Sequence, residues 1–107
     1  MTFKRYETDE VLVGAGDVFR EDDGRQVGRA RYRIIVQTAV LDDSTRPDVG
    51  EARGLRHTSG NVGFADAGRG GRMDLVGEAL VLHLEGGRRL YFVLTNQHGD
   101  FSGGRLQ

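Results

Sequence analysis

The sequence predicts a single all-β domain spanning residues 1–107, an antiparallel barrel or closed sandwich of about six to eight strands in a meander of hairpins. Three observations carry this. Residues 78–96, EALVLHLEGGRRLYFVLTN, are two apolar runs around one Gly-Gly turn, which is a hairpin pattern. The 17 glycines fall between short apolar runs and Pro47 is the only proline, as tight turns between strands require. No segment carries apolar residues at a helical period over helical length.

The 78–96 hairpin is the element against which the rest is built. Side chains alternate faces along a strand, so loop length decides which residues meet. A two-residue loop at Gly86-Gly87 leaves both faces mixed. An odd loop, Glu85-Gly86-Gly87, collects Leu80, Leu82, Leu84, Leu90, Phe92 and Leu94 on one face. Burial selects that register, drawn as a type I turn with Gly87 left-handed in a bulge. In this turn Gly87→Val costs far more than Gly86→Ala. The other face carries Ala79, Val81, His83, Arg89, Tyr91, Val93 and Thr95. Val81, Tyr91 and Val93 are too apolar for a solvated face, so another sheet, a second chain or a ligand is expected over them.

In chain order, residues 1–10 frame a short strand or an arm. Residues 11–20, VLVGAGDVFR, read as a strand whose Gly14 and Gly16 mark a bulge, a corner or a close backbone approach. Asp-Gly in EDDGR is a second turn signal. A loop of Asp22-Asp23-Gly24 sets Phe19 opposite Val27 and Asp17 opposite Arg29, pairing like with like and charge with counter-charge. The next strand, residues 26–41, alternates Ala30, Tyr32, Ile34 and Val36 against Arg29, Arg31 and Arg33. Residues 42–53 read as a polar, mobile linker. Residues 54–66 read as a weak hairpin about Ser59-Gly60-Asn61. Residues 67–72 form a glycine-rich loop, and the C-terminal SGGRLQ is expected to fray. The expected core is Leu12, Val18, Ala30, Tyr32, Ile34, Val36, Leu80, Leu82, Leu84, Leu90, Phe92 and Leu94.

Composition bounds the function. The chain has 107 residues, long enough for a core without disulfides or metal. Fifteen basic and 16 acidic residues give a net charge of −1, against the net basic surface that general nucleic-acid binding requires. There is no cysteine, hence no disulfide, thiolate nucleophile or Cys-based metal site. No apolar run approaches a membrane span and the N-terminus has no signal-peptide core, so a cytoplasmic location is expected. Fourteen of the 15 basic residues are Arg, in keeping with a GC-rich, bacterial-like coding sequence.

Several groups are candidate sites. Arg29, Arg31 and Arg33 share a strand face, a ladder suited to phosphate or carboxylate groups. The spacing Arg29-x-x-x-Arg33 resembles the RxxxR element of PilZ domains, small β-barrels that bind cyclic di-GMP. That resemblance covers five residues, and the family's companion Asp/Asn-x-Ser-x-x-Gly is absent, with Pro47 where its glycine would stand. Gly68-Arg69-Gly70-Gly71-Arg72 can form a nest of backbone N–H groups flanked by the guanidiniums of Arg69 and Arg72. His57, Ser59 and Asp66 hold the residue types of a triad without a nucleophile elbow. His57, His83 and His98 lack metal-ligand spacing. His83 and Tyr91 share the second hairpin face, where they could line a pocket.

The functional expectation is a non-enzymatic module that binds a small ligand or a protein partner, with a homodimer among the arrangements and no cofactor or metal. One alternative is a small barrel enzyme of the isomerase or cyclase type, with His83 and Tyr91 in a cavity. Another is an anion or nucleotide binder using Arg29, Arg31 and Arg33.

Overall fold

The computed structural model describes the backbone of residues 2–43 and 51–107, with side chains over residues 5–40 and 56–107. Seven strands form one antiparallel sheet: β1 (Thr2–Arg20), β2 (Gln26–Asp43), β3 (Glu51–Phe64), β4 (Ala79–His83), β5 (Arg89–Val93), β6 (Asp100–Ser102) and β7 (Arg105–Leu106). Their order is β6-β3-β2-β1-β4-β5-β7. The expected meander of hairpins therefore holds for β1–β3 and for the β4–β5 hairpin. Residues 65–78 then carry the chain from β3 to the far side of β1, through a single 3₁₀ turn at Met73–Leu75. The last two strands part company, β6 adding to β3 and β7 to β5.

The sheet curls around the apolar residues but does not close. A single bridge between Leu94 and Phe101 brings β6 near the end of β5, and the Thr95 N–H donates to Asp100 O at 2.8 Å. The edge strands β6 and β7 share no ladder. The interior holds Val18, Ala30, Tyr32, Ile34 and Val36 from the long strands and Leu80, Leu82, Leu84, Leu90, Phe92 and Leu94 from the second hairpin. Those are the expected core residues, apart from Leu12, which is only half-buried against them. Val62, Phe64, Leu75 and Phe101 complete the core. The Phe92 and Phe101 rings pack at 5.4 Å.

Register confirms the parity argument and corrects both turns. Leu82 pairs with Leu90 and Leu80 with Phe92, so the loop is odd and all six hairpin residues of the aliphatic face are buried. The turn itself differs. Gly87 N–H donates to Leu84 O at 3.2 Å, and Gly86 as well as Gly87 has positive φ, +89° and +92°. Positive φ at the third turn residue defines a type II turn, not type I. At the first turn, Arg20 N–H bonds Arg25 O at 2.9 Å, leaving a four-residue loop. A bulge between Val18 and Phe19 then shifts the register, so Phe19 faces Gln26, not Val27, while Asp17 still faces Arg29. An even loop and one bulge together restore the parity that burial demands.

Three other expectations fail. Ser59-Gly60-Asn61 is no turn: β3 runs straight through it, paired to Ile35, Ile34 and Arg33. The C-terminus is tied down, with Arg89 and Gln107 exchanging backbone hydrogen bonds at 3.0 and 2.8 Å. The ends of the supposed 42–53 linker belong to β2 and β3; its middle, residues 44–50, lies outside the described residues.

The molecule measures 53 × 27 × 24 Å with a radius of gyration of 16.6 Å, against roughly 13 Å for a compact chain of this size. The excess length comes from β1–β3, which run beyond the core as a three-stranded ribbon. There Thr2 pairs with Asp43 and Asp42 with Glu51. A second bulge at Asp9 separates ribbon from core. The Thr38 hydroxyl donates to the Asp9 carboxylate there.

Candidate functional site

The most unusual surface is the free edge of β1. On one side β1 is paired to β2 along its whole length. On the other it meets β4 only from Asp17 to Arg20. Backbone direction alternates along a strand. Arg20 N–H points to β2, whereas Ala15 N–H points away and donates to the Glu85 carboxylate at 3.2 Å. By the same alternation the N–H and C=O groups of Val11 and Val13 point outward from the edge, and no other strand among the described residues takes them up. Their side chains lie on the outer face, with Val13 71% and Val11 48% exposed. Tyr6, farther along the same strand, is 52% exposed. Three of the five exposed large apolar residues among the described ones thus lie on this stretch. Register places Val11 beside half-buried Ile35 and Val13 beside Arg33.

The inner side of the same stretch is built for close packing. A Cβ on Gly14 would meet the Tyr32 hydroxyl at 2.5 Å, and one on Gly16 would meet His83 O at 1.9 Å. The two strand glycines therefore mark close approach, one of the readings the sequence allowed. Glu85 N–H donates to the Tyr32 hydroxyl at 3.1 Å and Arg88 pairs with Glu10 at 2.9 Å, seating the β4–β5 turn against β1.

The second face of the β4–β5 hairpin is partly covered by the chain itself. Register aligns Phe19, Val81, Tyr91 and Arg105 in one row across four strands. Arg105 stacks over Tyr91 at 4.7 Å, and Val81 is buried. His83 is exposed on this outer face and packs on Phe19 at 4.5 Å between ring centres. The interior positions here belong to Leu82 and Leu84 on either side of His83. Tyr91 lines a shallow cleft with Glu21, Val93 and Arg105, away from His83.

The arginine candidates separate. Arg29 pairs with Asp17 at 3.2 Å. Arg31 and Arg33 are exposed on the same face of β2 with no partner among the described residues. They lie within a strand, not in a loop before one. Arg72 is half-buried and its donors are occupied. It binds both Asp74 oxygens at 3.0 Å, Val27 O at 2.9 Å and Asp66 at 3.5 Å, over the Phe64 ring. Hydrogen bonding to Asp74 raises the Arg72 pKa above its ordinary value, and the same contact holds Asp74 below the usual carboxylate range. Arg72 clasps three segments together. Arg69 is exposed and shares with Arg72, Gln97 and His98 a cavity of about 120 Å³. His57 faces Ser102 at 3.2 Å, while Asp66 faces Arg72, so the triad residues are not assembled.

Two features had no sequence signal. Asp100 accepts hydrogen bonds from Asn96 at 2.8 Å and Asn61 at 2.9 Å, which hold its carboxyl below the usual range. A cleft of about 210 Å³ is rimmed by Arg56, Arg88 and Arg105 over Val36 and Leu106. Both arise where β3 meets β5–β7, pairings no local pattern announces. Among the described residues no cluster of three His, Asp or Glu could hold a metal ion, and no helix is long and apolar enough to cross a membrane. Comparison with family models, with curated proteins and with solved structures finds no match for this chain.

Proposed function

We propose that this chain is a non-enzymatic interaction module that takes an extended segment onto the free edge of β1 between Glu10 and Gly14. The observation that carries the reading is the coincidence of outward backbone groups with the exposed valines Val11 and Val13. Strand addition needs both: the ladder supplies affinity, and alternate side chains supply selectivity. An unpaired edge bearing apolar residues is otherwise a liability that sheets blunt.

The test is titration of the isotope-labelled chain with a short alternating Val/Thr strand peptide, followed by NMR. Shifts and slowed amide exchange confined to Val11, Val13 and their β2 neighbours are expected. Absence of shifts, or shifts centred elsewhere, refutes the reading.

A second reading is favoured by one observation, the arginine-rimmed cleft over Val36 and Leu106. It suits a small anion with an apolar tail, and moves the anion-binding expectation from the Arg29–Arg31–Arg33 ladder to Arg56, Arg88 and Arg105. Thermal stabilisation by hexanoate that hexanol does not reproduce, and that Arg56→Ala abolishes, is the expected result. Equal response to both compounds ends it.

A further inference from the structure

We infer that the segment received by the β1 edge is the β1 edge of a second copy, paired antiparallel about a two-fold axis at Leu12. The inference rests on the edge-docking reading above and names its occupant.

The argument begins with what bounds the free segment. On the N-terminal side, the bulge at Asp9 breaks the pairing phase of β1. On the C-terminal side, the Glu85 carboxylate already occupies the Ala15 N–H. Both stops are the same distance in sequence from Leu12, so the open segment 10–14 is symmetric about that residue. A self-complementary patch is what a two-fold dimer requires.

Antiparallel pairing about Leu12 sets Val11 of one copy opposite Val13 of the other, and the converse. Both residues direct N–H and C=O outward, so the two are hydrogen-bonded pairs. Leu12 opposite Leu12 is the non-hydrogen-bonded pair between them, as the alternation of an antiparallel ladder demands. On the outer face the pairing juxtaposes Val11, Val13 and Ile35 of both copies in one apolar patch. The exposure of Val13, the highest among the large apolar residues described, is thereby removed.

Register puts Glu7 and Glu10 on the core face beside Thr38 and Val36, and Arg31 and Arg33 on the outer face, so the ladder from Glu10 to Gly14 opposes no two like charges. The net charge of −1 leaves little general repulsion between copies. The register requires the partner chain to leave the ladder at Asp9, where the bulge already redirects it. A ladder this short belongs to the small, weak class of interfaces.

Sedimentation velocity from about 10 µM to 1 mM tests it, a range suited to such weak contacts. A monomer–dimer equilibrium is expected, weakened at least tenfold by Val13→Lys with unchanged melting temperature. Because the chain has no cysteine, register can be read directly. Val11→Cys and Val13→Cys proteins, mixed and oxidised, should give a disulfide-linked dimer, because opposed pairs lie within disulfide reach. Either variant alone should not, because its sulfurs sit on a diagonal. A chain that remains monomeric at 1 mM overturns the inference, as does cross-linking of either single variant as readily as the mixture. The peptide titration separates the two levels. A monomer that still responds to the strand peptide overturns self-pairing alone, and one that does not overturns the edge-docking reading as well.

Discussion

Gly16→Ala tests the packing of the whole fold at a single atom. The added Cβ would stand 1.9 Å from His83 O and 3.3 Å from the Leu82 side chain. The first distance is far inside van der Waals contact, and the atom it meets is backbone, which has no rotamer to escape into. β4 must therefore retreat from β1. Their shared ladder runs from Asp17–His83 to Arg20–Leu80, and it carries the backbone pairing between the β4–β5 hairpin and β1. Losing two or three of these hydrogen bonds costs about 1 kcal/mol each, and the residual overpacking adds about 1–3 kcal/mol. A total of about 3–5 kcal/mol is a large part of the roughly 5–15 kcal/mol available to a domain of this size. The control is Gly24→Ala. Gly24 has φ +70° but nothing near its Cβ position, so only backbone strain of about 1 kcal/mol applies. Urea unfolding of both variants measures the difference, with m-values checked for constancy. If Gly16→Ala stays within about 1 kcal/mol of wild type, or costs no more than Gly24→Ala, the close-approach argument is refuted.

Other consequences are as direct. Gly86→Ala and Gly87→Ala should cost similar amounts, about 1 kcal/mol each, because both need positive φ and neither meets a neighbour; a cost falling on Gly87 alone would restore the type I turn. Arg72→Lys should destabilise nearly as much as Arg72→Ala, by about 1–2 kcal/mol, because one ammonium cannot replace a bidentate grip on Asp74 and a bond to Val27 O; full rescue by Lys in thermal unfolding would contradict this. Asp74 and Asp100 have folded pKa values below the ordinary range. Their stabilisation is fully present above about pH 4 and is lost as pH falls through the depressed values. The Asp100→Asn protein should therefore show a shallower acid loss of stability than wild type, and an unchanged slope below pH about 4 would remove Asp100 from the account.

What could be read from the chain was whatever depends on period two. Leu80, Leu82 and Leu84 fell on one face with Leu90, Phe92 and Leu94 because burial tolerates only one parity. Ala30, Tyr32, Ile34 and Val36 followed by the same rule. Gly16 was legible as a place of close approach, but not its partner, His83, far along the chain. The bulges at Asp9 and after Val18 were not legible, since a bulge leaves composition unchanged and only shifts phase. Gly60 misled: a glycine between Ser and Asn reads as a turn, yet here its missing Cβ accommodates Arg33 O. β7 was missed because its stability comes from pairing with β5, not from its own residues. For the same reason Arg72 looked like a free cation in a flexible loop, when Asp74, Asp66, Val27 and Phe64 all converge on it. His83 was correctly assigned to the less apolar face, which is also why it lines no interior site.

The two long edges of this sheet differ in a way that bears on the β1 proposal. Beyond its short contact with β6, the outer edge of β3 carries the exposed cation Arg56, a charge of the kind that discourages strand addition. β6 and β7, the formal edges of the sheet, are very short, which is another way of blunting an edge. On β1 the stretch 10–14 reads EVLVG. It has neither Lys nor Pro, and its one charge, Glu10, is turned inward to Arg88. A chain that protects three edges and leaves valines on the fourth is not short of the means of protection. Solubility alone would favour Lys or Thr at position 13, where the 71% exposed valine makes too little contact to stabilise the monomer. On the edge-docking proposal Val13 serves pairing at β1, and Val13→Lys separates that role from folding: it should leave unfolding by urea unchanged while removing whatever the edge receives.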